Sequence, residues 1–168
     1  MEYIYFFAKK KEYRSLSNFW KCDIVIDDRE YSSGEHCFHG EKFYRLSQIC
    51  ENQIRKQVLL EYSKQFLKPN NQEPVIIKRL GRALVLNSQE LEAWNNLSIN
   101  VQIEICNYKY TNYQEVRDDL KKSGTSILIH PATRVADDKV VNRIWEGRVV
   151  DNKIIGKNML GKIWMNIR

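Results

Sequence analysis

The longest regular pattern in the sequence is a helical one over residues 91–108. Apolar and aromatic side chains recur there at intervals of three and four residues, namely Leu91, Trp94, Leu97, Val101, Ile105 and Tyr108. This spacing places all of them on one face of an α-helix of about five turns. The pattern therefore predicts a long amphipathic helix in a globular protein, with Trp94 directed into the core.

Shorter strand and helix patterns lie on both sides of this predicted helix. Strand patterns occur at residues 3–7 and 126–131, with two hairpins at residues 23–31 and 149–155. Further helical patterns occur at residues 35–46, 53–62 and 113–123 and after Asn158. Residues 15–20, 69–74 and 132–141 follow neither period and are predicted to be loops. Together these patterns predict an α+β domain without internal repeats.

The length and hydropathy of the chain limit its organisation. With 168 residues it can form one substantial core, so a single domain over residues 1–168 is predicted. Hydrophobic residues make up 43% of the chain, and no apolar run approaches the roughly 18 residues of a membrane span. Residues 1–5 lack the basic lead and the apolar stretch of a secretory signal. These features predict a soluble, cytoplasmic protein that does not associate with membranes.

Neither the cysteines nor the histidines are spaced like metal ligands. No C-x-x-C pair occurs among the four cysteines, which are Cys22, Cys37, Cys50 and Cys106. They are predicted to be reduced thiols. His36 and His39 lie three residues apart, but no further pair of ligands follows them. No metal and no cofactor are therefore predicted.

The charge balance favours anionic partners. The 27 basic and 21 acidic residues give a formal net charge of +6 and a pI near 9.1. This excess of positive charge favours phosphorylated ligands or nucleic acid, although the dense basic block of a binding tail is missing. The oligomeric state is not predicted by these features.

The segment of residues 31–43 concentrates ionisable side chains at helical spacing. Ser32 is followed three residues later by Glu35, which fits a capping box and predicts the start of a helix. At about 100° per residue, Glu35, His39 and Lys42 then share one narrow face with Leu46. A polar stripe of this kind suits a catalytic site, but a capping role for Glu35 explains the same spacing. Both interpretations stay open at this point.

Two other segments carry candidate ligand-binding residues. Lys78, Arg79 and Arg82 surround Gly81, and such a cluster could hold a phosphate because arginine donates in pairs and glycine permits close approach. A basic helix end closed by a glycine C-cap explains the same residues. In the first predicted loop, Asn18 could bind a ligand or hydrogen-bond its own backbone.

Three separated blocks of the sequence carry a family signature. Residues 31–43 contain Ser-Gly-Glu-His-Cys-Phe-His-Gly-Glu-Lys, similar to the run Ser-Glu-His-Tyr-Phe-Gln-x-x-Lys. Residues 78–82, followed by Trp94, are similar to a middle block. Residues 156–168 are similar to the ending Gly-x-Asn-x-Leu-Gly-x-x-Leu-Met-x-x-Arg. In their order, and over nearly the entire chain, these blocks resemble the YbiA-like, or NADAR, family.

The resemblance implies a fold and an activity. The implied fold is a mostly helical α+β domain with a small antiparallel sheet, as in YbiA-like proteins. The implied activity is that of an N-glycosidase, either on reactive phosphoribosylated riboflavin precursors or on ADP-ribosylated guanine bases in nucleic acid. The implied partner is therefore an anionic nucleotide-like small molecule or an ADP-ribosylated nucleic acid, and the positive charge of the chain suits both.

The resemblance also implies roles for individual residues. Glu35 matches the family glutamate and Lys42 the family lysine, so both are predicted to be catalytic. Glu35 would stabilise the developing positive charge on the sugar or activate water, and Lys42 would supply a proton or contact an anion. In a covalent version, Lys42 attacks the opened sugar as an amine, which requires a lowered pKa. The predicted substrate-binding residues are Asn18, His39, Arg79, Gly81, Arg82, Trp94, Trp145 and Asn158.

Two of the departures from the family signature change the chemical groups available at the site. His39 replaces a glutamine. Asn142 replaces the aspartate of the family motif Asp-x-x-Trp-Gly. This second change matters because an asparagine can neither carry charge nor act as a base. Asp137, Asp138 or Glu146 could supply the missing carboxylate. Two rival functions follow from this loss. One is a catalytically weakened module that binds ADP-ribose or a related nucleotide, and the other is a protein that binds nucleic-acid phosphates without chemistry.

Overall fold

The computed structural model describes all 168 residues and divides them into two compact units. The terminal unit comprises Met1–Trp20 and Lys109–Arg168, and the middle unit comprises Lys21–Tyr108. Seven helices and three two-stranded sheets confirm the predicted mostly helical α+β fold. The sheet content differs in detail, because one of the three strand pairs is parallel. A single domain over residues 1–168 stays a prediction.

The middle unit contains one hairpin and most of the helical residues. Its elements are β2 (Lys21–Ile26), β3 (Arg29–Ser33), α1 (Gly34–Ile49), α2 (Gln53–Lys64), α3 (Pro74–Ala83) and most of α4 (Ser88–Asn112). Strands β2 and β3 pair antiparallel, as predicted, and Asp27 turns between them with a φ of 54°. Phe43, Tyr62 and Phe66 form an aromatic cluster that packs α1 against α2 and the turn after it.

The terminal unit contains the other two strand pairs. Its elements are β1 (Tyr3–Tyr5), a 3-10 turn (Arg14–Leu16), α5 (Gln114–Lys122), β4 (Ile127–Ile129), α6 (Asp137–Val140), β5 (Arg148–Val150), β6 (Lys153–Ile155) and α7 (Met159–Ile167). Strands β1 and β4 pair parallel, and β5 and β6 form the predicted antiparallel hairpin. The segment of residues 132–141 was expected to be a loop, but it contains the single helical turn α6. None of the seven helices is both long enough and apolar enough to cross a membrane.

The predicted apolar face of the long helix is correct except at its start. Trp94, Val101 and Ile105 are buried, whereas Leu91 is 51% exposed. In this first turn the inward position belongs to Glu90, which is buried and forms an ion pair with Arg55 at 2.9 Å. The ion pair satisfies the buried carboxylate, so Leu91 lies on the outer side of the turn.

A buried carboxylate on α1 attaches this helix to the hairpin. Glu41 has no exposed surface and accepts two hydrogen bonds from Arg29, at 2.7 and 2.8 Å, and one from the Tyr31 hydroxyl at 2.6 Å. Arg45 donates to it from one turn further along α1. Burial opposes ionisation, but the hydrogen bonds from Arg29 and Tyr31 outweigh it and keep the pKa of Glu41 below its usual range. Glu41 is therefore a charged structural residue within the family motif.

Candidate active site

Ser33, and not Ser32, caps the N-terminus of α1. The side chain of Ser33 accepts a hydrogen bond from the backbone N–H of His36 at 3.1 Å, whereas Ser32 donates to the carbonyl of Asn70. The predicted capping box is therefore wrong, because β3 continues through Ser33 and the helix begins one residue later than expected. A capping box that begins at Ser33 would need a glutamate or glutamine at position 36, and that residue is a histidine. The capping interpretation of Glu35 is thereby removed.

Glu35, His39 and Lys42 form one chain of contacts along α1. Nε2 of His39 lies 2.8 Å from Oε1 of Glu35, and Nζ of Lys42 lies 3.3 Å from Nδ1 of His39. All three residues are buried, but the Glu35 side chain keeps 11% of its surface exposed. A protonated lysine has only donors, so Nδ1 accepts from Lys42 and Nε2 donates to Glu35. His39 therefore connects the amine to the carboxylate.

The environment of this cluster lowers the pKa of both basic groups. Burial lowers the pKa of His39, against the opposing effect of Glu35, so its imidazole is predominantly neutral at pH 7. Burial also lowers the pKa of Lys42 from 10.5 to about 8; Glu35 opposes this effect and the positive charge of Arg82 adds to it. At pH 7 about one tenth of such lysines are neutral, against fewer than about one in a thousand at the ordinary pKa.

Gly81 lies inside α3 and supports the cluster directly. Its carbonyl accepts a hydrogen bond from Nζ of Lys42 at 2.6 Å, and a Cβ atom at this position would collide with the His39 ring. The glycine C-cap interpretation is wrong, because α3 continues past Gly81 to Ala83 and its C-cap is Leu84. Gly81 is therefore required for the close approach of α3 to His39, and this packing explains the glycine without a phosphate.

The two arginines of α3 differ in their relation to the cluster. Arg82 is exposed, and its charge affects the pKa of both Lys42 and His39. Arg79 is also exposed but forms no hydrogen bond or ion pair. Their predicted contacts with a substrate stay predictions.

Aromatic side chains lie next to the cluster. The ring of Phe38 is 5.6 Å from that of His39 and 5.1 Å from that of Trp94, both edge to face, and the ring of Phe66 is 6.1 Å from His39. Trp94 is buried, as its helical position predicts, and its proposed contact with a base or sugar stays untested. The place of Phe66 beside His39 was not predicted, because residue 66 follows α2 and nothing in the local pattern relates it to α1.

The remaining predicted site residues belong to the terminal unit. Asn18 and Trp145 are half-buried there, and Asn158 is buried before α7. The amide of Asn158 donates to the carbonyl of Leu128 at 2.9 Å and accepts from the backbone N–H of His130 at 3.0 Å. These contacts assign Asn158 a structural role, and its contact with a substrate stays a prediction.

The carboxylates that could compensate for Asn142 also belong to the terminal unit. Asn142 and Asp138 are exposed, and Glu146 is half-buried. Asp137 forms an ion pair with Arg148 at 2.6 Å, which ties α6 to β5. No group of three or more histidine, cysteine, aspartate or glutamate side chains is arranged to hold a metal ion.

The buried ammonium of Lys42 is expected to make stability depend on pH. Below pH 8 Lys42 is protonated in the native and unfolded states alike, so the native state bears the full cost of burying the charge. Between about pH 8 and 10.5 only the unfolded state keeps the proton, so native stability rises with pH. Relative to Lys42→Met, the free energy of unfolding should increase by on the order of 3 kcal/mol across this range. Urea unfolding of wild type and Lys42→Met at several pH values measures this increase. If the difference between their free energies of unfolding did not change with pH, the lowered pKa of Lys42 would be contradicted.

The fold is that of one protein class. A family model described as the NADAR domain matches residues 5–168, so the chain belongs to the NADAR family, as the resemblance of its motifs predicted. This family is generally associated with hydrolase or glycosidase activity.

Among solved structures, the chain is similar to the NMR structure of the E. coli protein YbiA. The TM-score is 0.68 and the sequence identity is 21%, over 99% of this chain and 83% of that chain. At this identity the similarity establishes the fold. A comparison with curated proteins finds no match.

Proposed function

We propose that this protein is an N-glycosidase that hydrolyses the bond between a ribosyl group and a nitrogen of a base-like leaving group. The observation that carries the proposal is the buried contact chain from Glu35 through His39 to Lys42. It combines a carboxylate that is not needed as a helix cap with an amine of lowered pKa, on one helix face. Family membership adds the class of reaction.

Glu35 is proposed to act on the sugar. Cleavage of an N-glycosidic bond leaves positive charge on the anomeric carbon, and a carboxylate in a site of low dielectric stabilises such charge strongly. Glu35 can also accept a proton from the attacking water. The N–H of His39 Nε2 donates a hydrogen bond to the carboxylate of Glu35 and orients it.

Lys42 is proposed to act on the leaving nitrogen. An acid works best when its pKa lies near the working pH, and a pKa of about 8 makes Lys42 a better proton donor than an ordinary lysine. The neutral imidazole of His39 contacts both groups: Nδ1 accepts from Lys42 and Nε2 donates to Glu35, which fixes the two groups relative to each other. Because the family signature has glutamine at this position, an imidazole link between the two groups is specific to a chain with histidine here.

The same lowered pKa also supports the covalent version of the reaction. Neutral Lys42 would attack the anomeric carbon, and the bond to the base would break with its electron pair and a proton leaving on the base nitrogen. Ring opening would give an imine between Lys42 and the sugar, and water would hydrolyse it to free sugar and free amine. Both versions use Lys42 and have the same products.

The proposed substrates carry a phosphoribosyl or an ADP-ribosyl group. Both groups are anionic, and the net charge of +6 together with exposed Arg79 and Arg82 supports an anionic substrate. The replacement of the family aspartate by Asn142 supports the rival proposal of a binding module that holds ADP-ribose without cleaving it.

Incubation with candidate substrates tests the proposal. The protein is mixed with an oligonucleotide that carries ADP-ribosylated guanine and, separately, with phosphoribosylated riboflavin precursors, and released sugar is measured by mass spectrometry. Release of sugar from either substrate is the expected result. Tight binding without release would replace the enzyme with the binding module, and salt-sensitive binding of unmodified DNA alone would favour the nucleic-acid-binding rival.

A further inference from the structure

Three groups contact the buried amine of Lys42. Its Nζ lies 3.3 Å from Nδ1 of His39, donates to the carbonyl of Gly81 at 2.6 Å, and lies 4.6 Å from the centre of the Phe43 ring. His39 and Phe43 belong to α1, the helix of Lys42 itself, whereas Gly81 belongs to α3. The surroundings of the amine therefore depend on how the end of α3 is held against α1.

The last turn of α3 has few side chains of its own that could hold it in place. Gly81 is the only buried residue of this turn, and it has no side chain to pack. A larger residue there is excluded, because a Cβ atom would collide with the His39 ring. Leu80 is half-buried, and Arg82 and Ala83 are exposed. The last carbonyls of a helix have no intrahelical partner, so groups from other helices can bind this turn.

The side chain of Tyr62 on α2 is connected to two of the three contacts of the amine. Its hydroxyl donates to the carbonyl of Leu80 at 2.5 Å, in the peptide unit that ends at the nitrogen of Gly81, and it also accepts from the backbone of Leu84. Its ring packs edge to face on Phe43 at 4.7 Å. The hydroxyl thus holds α3 beside the Gly81 carbonyl, and the ring holds the aromatic surface next to the ammonium.

We propose that Tyr62 is a positioning residue for Lys42, because it holds both the last turn of α3 and the aromatic ring beside the amine. The inference rests on the proposed function, since it explains the placement of a proposed catalytic group. Tyr62 acts through Gly81 and Phe43 and makes no contact with substrate. A misplacement of about 1 Å in a catalytic group can cost about 10²-fold in rate, so one hydroxyl on a neighbouring helix is sufficient to affect turnover.

Loss of the Tyr62 hydroxyl should change the pKa of Lys42. Without the hydroxyl the last turn of α3 can move away from the amine, and water can enter. Burial is the largest cause of the lowered pKa of Lys42, and the charge of Arg82 adds to it. Both effects weaken when α3 moves, whereas Glu35 and the neutral His39 stay on α1, so the pKa rises from about 8 towards 10.5. Tyr62 itself keeps its proton while Lys42 of wild type titrates, because burial raises the pKa of its hydroxyl.

The variant Tyr62→Phe tests the inference, since phenylalanine keeps the ring and removes only the hydroxyl. The expected result is a turnover number about 10- to 100-fold below wild type, a nearly unchanged KM, and a higher pH midpoint of sugar release. The midpoint rises whether the protonated or the neutral amine is active, because both versions of the reaction follow the pKa of Lys42. In the Lys42→Met background, Tyr62→Phe should have no further effect on turnover.

The pKa of Lys42 can also be measured without substrate. The pH titration of the ¹³C NMR signal of its Cε, assigned by its loss in Lys42→Met, should show a higher pKa in Tyr62→Phe than in wild type. The matched control is Tyr31→Phe, which removes a hydroxyl that donates to Glu41, on the same helix as Lys42, at 2.6 Å. This control should lower the melting temperature and leave the pKa of Lys42 and the pH midpoint unchanged.

The other outcomes overturn the inference in distinguishable ways. A lower melting temperature of Tyr62→Phe with wild-type turnover and an unchanged pKa of Lys42 would make Tyr62 a purely structural residue. A lowered pKa of Lys42 in this variant would contradict the assignment as well, because α3 would then not be what keeps water from the amine. If wild type releases no sugar from either substrate, the proposed function fails, and the NMR titration of Tyr62→Phe still supports or overturns the positioning role by itself.

Discussion

Replacement of Glu35 by glutamine is expected to reduce the turnover number by at least about 10²-fold, with an unchanged melting temperature. Glutamine keeps the shape of the side chain and can still accept from Nε2 of His39, but it cannot balance positive charge on the sugar or accept a proton from water. Folding should not suffer, because Ser33 caps the helix and Glu35 does not. Steady-state sugar release and thermal unfolding of the same preparation measure both effects.

The matched control for this prediction is Glu41→Gln on the same helix. Glu41 is fully buried among Arg29, Tyr31 and Arg45, so loss of its charge leaves two half-buried guanidinium groups without their charged partner. This control should lower the melting temperature clearly. If Glu35→Gln behaves like Glu41→Gln, losing stability and turnover together, Glu35 is a structural residue and the catalytic assignment is wrong.

Replacement of Lys42 by methionine is expected to reduce the turnover number by about 10²- to 10⁴-fold, the range of a well-placed proton donor. Methionine fills a similar volume and can neither donate a proton nor form an imine. With wild-type protein, the turnover number should be constant below about pH 8 and fall above it, because the protonated amine is the active form. The pH profile of sugar release, measured with substrate in excess, tests whether the turnover number falls above pH 8.

The covalent version predicts the opposite pH dependence. If neutral Lys42 attacks the sugar, turnover should rise towards pH 8, and borohydride should trap a sugar adduct on wild-type protein that is missing from Lys42→Met. The matched control is His39→Gln, which restores the residue of the family signature and keeps a hydrogen-bonding group beside Lys42. It should lose far less activity than Lys42→Met. Wild-type turnover in Lys42→Met would contradict both versions.

Local patterns predicted the elements of this fold well and their boundaries less well. The helical period of residues 91–108 identified the longest helix, and the strand–turn–strand pattern of residues 23–31 identified the hairpin before α1. The sequence pattern predicted Ser32 as the N-cap of α1, whereas the N-cap is Ser33, one residue later. Two adjacent serines are equivalent in the sequence, and the end of β3 determines which of them has extended backbone before the helix.

Contacts between distant segments were beyond these patterns. Gly81 has the local context of a helix end, and only the approach of His39 explains why a glycine is needed there. Glu41 likewise resembles an ordinary surface glutamate of a helix, and its partners Arg29 and Tyr31 lie on a strand. Leu91 was misjudged because the ion pair of Glu90 with Arg55 joins residues 35 positions apart.

The sequence by itself determined that Glu35, His39 and Lys42 share one helix face, because helical geometry requires only the spacing of residues along the chain. It also determined family membership, through motifs distributed over nearly the whole chain. Only the tertiary structure decided that this face is buried, that Gly81 holds Lys42, and that the pKa of Lys42 is lowered to about 8. The physical reason is that desolvation depends on which other segments cover a side chain, and the covering segment, α3, lies some forty residues away in the sequence.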